Sequence, residues 1–90
     1  MGLASPAPLK TFDMNVARRK ALYKLVEQLE DIKSQIEDLQ QQEQDAYDNL
    51  PESLQDSERG ERMQEAADEL ENAASSVDEV IDYINNATEQ

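Results

Sequence analysis

From Leu22 onward, apolar residues return every third or fourth position: Leu22, Leu25, Val26, Leu29, Ile32, Ile36 and Leu39, then Ala46, Tyr47 and Leu50. That spacing follows the turn of an α-helix and gathers one narrow stripe on one side, with Glu, Gln, Lys and Asp filling the rest. Asn15 has a side chain suited to capping, and the pattern runs out near Asp48, so a helix is predicted over 15–48. A second pattern, Met63, Ala66, Ala67, Leu70, Ala73, Ala74, Val77, Val80, Ile81, Ile84 and Ala87, predicts another over 58–88. Ser57 is its expected N-cap, and Glu58 and Glu61 place negative charge in the first turn, where unpaired amides favour it. Gly60 falls early in that turn, where it costs less than further along.

The two helices would be about 50 and 45 Å long at 1.5 Å per residue. Near-equal lengths and a connector of about nine residues predict an antiparallel hairpin. Leu29, Ile32 and Ile36 are expected to form its seam with Leu70, Val77, Ile81 and Ile84. The alanine pairs of the second helix permit close approach, and the first helix's leucines and isoleucines supply the facing bulk. Gln40 to Gln44 interrupts the first stripe at Gln42 or Glu43, a polar layer able to select register or oligomeric state at a cost in stability.

The connector reads DNLPESLQDSERGE from Asp48 to Glu61. Asn49-x-x-Glu52 fits a capping box, with Pro51 at the second helical position, where its missing N–H matters little. Residues 50–55 are then a short helical turn, with Leu50 and Leu54 folded inward, and 49–57 a structured corner. Glu52, Asp56, Glu58, Arg59 and Glu61 are more charge than a bend requires. With Glu65 and Asp68 they are the candidate interaction residues. Residues 1–13 hold two of the three prolines and no period, and read as a flexible leader or an expression remnant.

Ninety residues suggest one all-α domain near the size at which a lone fold has little surplus stability. A two-helix hairpin leaves apolar area uncovered at Leu25-Val26, Val80-Ile81 and Tyr83-Ile84. Docking two copies as a four-helix bundle would cover it, so a homodimer is the favoured homo-oligomer. Tyr47 and Tyr83 are expected to pack near opposite ends of the bundle with their hydroxyls in water, while an exposed tyrosine amid carboxylates can instead anchor a partner.

Charge narrows the functional classes. Eight basic against 21 acidic residues give −13. Arg18, Arg19, Lys20 and Lys24 leave residues 1–26 positive, while the remainder is strongly negative. The field repels nucleic acid and anionic membrane and favours a basic protein partner. Neither direct nucleic-acid binding nor membrane insertion is expected, and cytoplasmic residence is the default. The basic cluster should lie beside Asp78, Glu79 and Asp82 in a hairpin.

With no histidine and no cysteine, disulfides, thiolate chemistry and the usual nitrogen base are excluded. No glycine-rich phosphate loop, EF-hand or zinc spacing occurs. No catalytic, cofactor-binding or metal residue is assigned. The acidic sets Glu65-Asp68-Glu69 and Asp78-Glu79-Asp82 faintly resemble the magnesium-binding helices of all-helical nucleotide pyrophosphatases. A second glutamate set aimed at the same cavity is missing, which leaves an enzyme the weakest reading. A stronger alternative is imitation of a polyanion. Glu27, Glu30, Asp31, Glu37, Asp38, Glu61, Glu65, Asp68, Glu71, Asp78 and Asp82 would make a negative rod that a DNA-binding protein accepts in place of DNA.

The central stretch AYDNLPESLQDSERGERM, with its flanking helices from Arg18 to Ile84, resembles small uncharacterised proteins of bacterial and phage genomes. That resemblance implies an acidic helical hairpin in a phage-linked accessory or inhibitory role, and it carries no catalytic residue. The expectation is a non-enzymatic protein–protein interaction module or structural accessory.

Overall fold

The computed structural model describes residues 15–90. The leader expected over 1–13 lies outside the described residues. Three helices follow in order, α1 (Val16–Asp48), α2 (Glu52–Gln55) and α3 (Glu58–Thr88). The long pair α1 and α3 pack against one another as a hairpin, and α2 sits at the corner against α3. Among the described residues there is no strand.

The start of α1 follows from its cap. Asn15 is extended, with φ −71° and ψ 163°, and its Oδ1 accepts the Arg18 N–H at 2.8 Å. The first turn holds no acidic residue and the last no basic one. The helix dipole therefore receives no help from α1's own charges, which leaves packing against α3 as the main support for its length.

The side chains turned inward fall on a strict three-and-four alternation. On α1 they include Leu22, Val26, Leu29, Lys33, Ile36, Gln40, Glu43 and Tyr47, all half-buried. On α3, Gly60, Ala67, Ala74, Ile81 and Thr88 are buried, interleaved with half-buried Met63, Leu70, Val77 and Ile84. Such a seven-residue repeat is that of a coiled coil. The register is set by two cross-helix contacts, Gln44 to Gln64 and Lys33 to Asp78. These bring Ile36 close to the level of Ala74, small against large, so the helix axes lie close together.

One expected seam residue stands outside it. Ile32 is 46% exposed, and so is Leu25, while Leu39 is 54% exposed. These three lie one position before Val26, Lys33 and Gln40, and a helix cannot turn both rows toward one partner. Leu29, Ile36, Leu70, Val77 and Ile84 are half-buried, and Ile81 is buried. In the polar layer Glu43 is half-buried, Gln42 is exposed, and Gln40 and Gln44 join it.

The corner differs from the expected capping box. The Asn49 N–H still bonds back to Asp45 O at 3.0 Å, so Asn49 closes α1 in right-handed helical conformation and is not available as an extended N-cap. Pro51, with φ −56° and ψ 146°, precedes α2 instead, and no side chain caps it. Leu50 is half-buried as expected of an inward residue, whereas Leu54 is 39% exposed. What ties the corner is the Gln55 side-chain amide, whose Nε2 lies 3.3 Å from the carbonyls of Tyr47 and Leu50 and 3.5 Å from that of Asp48. Tyr47 and Asp48 close α1 and Leu50 follows it, and the Tyr47 carbonyl also accepts the Leu50 N–H at 3.0 Å.

Ser57 caps α3, its Oγ accepting the Gly60 N–H at 3.4 Å while its hydroxyl donates to Leu54 O. Ser57→Ala is expected to cost about 1 kcal/mol. A thermal melt followed by circular dichroism should show a midpoint lower by about 4–8 °C. Gly60 serves a purpose that its position in the first turn does not reveal. A Cβ there would stand 2.7 Å from Leu54 O and Gln55 C, and closer still to Gln55 O, so the corner's backbone occupies the place of a side chain.

Candidate interaction surfaces

The flank of the hairpin marked by the cross-helix contacts is polar. Its rows run through Glu30, Glu37 and Gln44 on α1 and Gln64, Glu71 and Asp78 on α3, each seven residues apart. Gln44 and Gln64 hydrogen-bond side chain to side chain at 3.3–3.5 Å, and Lys33 Nζ meets Asp78 at 2.9 Å and Glu37 at 3.7 Å. The hydrogen bond that Lys33 donates to Asp78 is the main cause lifting its ammonium above the ordinary lysine value of 10.5. The charges of Asp78 and Glu37 add to it, and partial desolvation opposes it. A raised folded value means this contact is fully present below the unfolded lysine value and fades only as pH climbs past the folded one. Asp78, expected beside the basic cluster that begins α1, is thus met by Lys33.

Outside this flank the acidic side widens. Glu27, Asp31 and Asp38 continue it on α1, and Glu58, Glu61, Glu65, Asp68, Glu79 and Asp82 on α3, all exposed. Glu61 and Asp68 fall in one row, Glu58 and Glu65 in the next. Glu52, Asp56 and Arg59 stand exposed at or near the corner; Glu58, Glu61, Glu65 and Asp68 follow along the first turns of α3, while Arg59 falls in the row of Ala66, Ala73 and Val80 on the opposite flank. Arg62 pairs with Glu58 one turn away. None of these tip charges bonds to the corner's carbonyls, which are held by Gln55 and Ser57.

Two shallow depressions occur near this end of α3, the first reaching onto the flank that carries Arg59 and Arg62. One is lined by Glu43, Glu58, Arg59, Arg62 and Met63, the other by Glu65, Asp68 and Glu69. Both lie open to solvent. Among the described residues no three metal-ligating side chains converge to hold an ion. No described helix is long and apolar enough to cross a membrane.

The opposite flank has another chemistry, which the sequence showed as a broadening of the stripes at Leu25-Val26, Val80-Ile81 and Tyr83-Ile84. Antiparallel pairing puts like flanks together, so the row Leu25, Ile32, Leu39, Ala46 of α1 lies on the same side as Ala66, Ala73, Val80, Ala87 of α3. Beside these rows run Ala21, Gln28, Gln35, Gln42 on α1 and Arg62, Glu69, Ser76, Tyr83 on α3. Of all the carboxylates of α1 and α3, Glu69 alone falls in these four rows. The signal that could have found this flank is the seven-residue repeat of Leu25, Ile32 and Leu39. Tyr83, expected to pack near a bundle end, is 74% exposed here, and Tyr23 is 50% exposed on the polar flank.

Compared with known proteins, the chain matches no family model, no curated protein and no solved structure.

Proposed function

We propose that the protein acts by binding and not by catalysis, and that its acidic side engages a basic surface on another protein. The observation that carries this reading is the segregation of carboxylates. If acidity served solubility alone, charges would be spread around both helices, whereas here they are all but excluded from one flank and gather on the other flank, the outer faces and the tip. A one-sided field orients an approaching basic partner and speeds encounter. The absence of histidine and cysteine from the chain, and the open form of both depressions, also favour binding over chemistry. The narrower version, imitation of a polyanion in a phage-linked inhibitory role, uses the same side.

The test is charge reversal on that surface. Glu61→Lys, Glu65→Lys and Asp68→Lys together are expected to abolish retention of basic proteins from a lysate of the native host, with the melting midpoint within a few degrees of wild type. Wild-type retention should weaken with added salt, because exposed charges are screened within about 10 Å at 0.1 M. Retention that survives the reversal would place the contact elsewhere. Duplex DNA that competes for the retained protein supports imitation of a polyanion, and lack of competition across salt concentrations removes that version.

A further inference from the structure

We infer that the carboxylate-poor flank is a self-association surface, on which a second copy of this chain docks to complete a four-helix bundle. The inference is independent of the acidic-side reading, since it concerns the other face of the rod.

The hairpin exposes more bulky apolar side chains than it buries. Its buried apolar residues are Ala67, Ala74 and Ile81, while Leu25, Ile32, Leu39, Val80 and Tyr83 stand 44–74% exposed on one flank. A contiguous patch of that kind on a small fold marks a contact surface. Charge identifies the occupant. A basic partner is drawn to the acidic side, where its attraction is greatest. A second copy is itself charged −13, and close approach through carboxylate rows would be repulsive. The flank from which carboxylates are all but excluded is the one a like-charged copy can reach.

The area is adequate. The rows from Ala21 to Asn49 extend about 42 Å. Two helices side by side span about 18 Å, so each copy offers on the order of 750 Å², close to the ~800 Å² per partner of a standard interface. The remaining charges fix the orientation. Arg59, Arg62 and Glu69 sit toward the corner end of α3, with the acidic tip beyond. A two-fold axis crossing the rod places the tip of one copy against the open end of the other, which keeps the two acidic tips and the two arginine pairs apart.

The chain has no cysteine, so single thiols report each side cleanly. Ser76→Cys lies on the proposed interface and Ser34→Cys on the acidic side, both exposed in the single hairpin. Wild type and both variants are expected to sediment at twice 10.2 kDa. In that form maleimide should label Cys at 76 at least about tenfold more slowly than at 34, and dilution should abolish the difference. Ile32→Glu combined with Leu39→Glu is expected to raise the half-association concentration about 100-fold or more, because each buries a carboxylate. A folded wild-type chain sedimenting at 10.2 kDa up to millimolar concentration would overturn the inference, leaving the flank for a different protein. Equal labelling of the two thiols in the associated form would overturn it equally, by placing the interface on another face. The labelling comparison does not depend on the glutamate variant remaining folded.

Discussion

Gly60→Ala is expected to destabilise the hairpin, although helix propensity alone predicts the opposite. Inside a helix, alanine is favoured over glycine by about 1 kcal/mol, and no glycine of the described residues has a positive φ that would oppose the change. Space decides the sign. The added methyl would press on the backbone of Leu54 and Gln55, which cannot rotate aside as a flexible side chain could. Relief requires α2 to move away from α3, and that displaces Gln55 from the carbonyls it holds. Overpacking of this kind costs about 1–3 kcal/mol, or a midpoint lower by roughly 4–20 °C for a domain of this size. A calorimetric melt of Gly60→Ala beside wild type measures it. An unchanged or higher midpoint would mean that the corner is not packed against the first turn of α3.

Ile81→Asp is expected to have the larger effect and to leave the chain without stable helix at 25 °C. Ile81 is 7% exposed, the one bulky side chain among the buried apolar residues. Removing an isoleucine from a packed site costs about 2–5 kcal/mol even when alanine replaces it. A carboxylate there adds the cost of an unpaired charge withdrawn from water. Total stability of small domains is about 5–15 kcal/mol, and a seam with so few buried residues sits at the low end of that range. Far-UV circular dichroism should lose most of its helical signal. Ile81→Val, which removes a single methylene, should cost only about 0.5–1.5 kcal/mol and keep the signal. If Ile81→Asp melted like wild type, the seam would have to run elsewhere.

The hairpin was legible because its signals are local. Periodic apolar residues, Asn15 and Ser57 at helix starts and a Pro51-centred break each act within a few residues, and the helix limits they imply agree closely with those observed. Harder to read was which of two adjacent apolar rows turns inward. Residue by residue, hydrophobicity ranks Ile32 above Lys33 and Leu39 above Gln40, yet the inward row takes Lys33 and Gln40. A helix has one rotational phase, fixed by Leu22, Leu29 and Ile36 together with the tight row of Gly60, Ala67 and Ala74, and the partner row follows from it. Lys33 tolerates this place because its ammonium reaches out of the seam to Asp78. The acidic candidates were visible as a set of residue types. The near-exclusion of carboxylates from one flank was not, because it depends on how two helices are paired and not on either helix alone.

The corner is held by backbone, by the Gln55 amide and by the room left at Gly60, while none of the charges displayed on it bonds to its carbonyls. Shape and decoration at that end of the rod are therefore separable at Asp56 and Arg59, whose exchange leaves the bonds that close the bend untouched, whereas Glu52 and Glu61 also meet the amides of a helix's first turn. Substitutions at those two positions, Asp56 and Arg59, would alter the charge presented by the elbow and leave its closure intact.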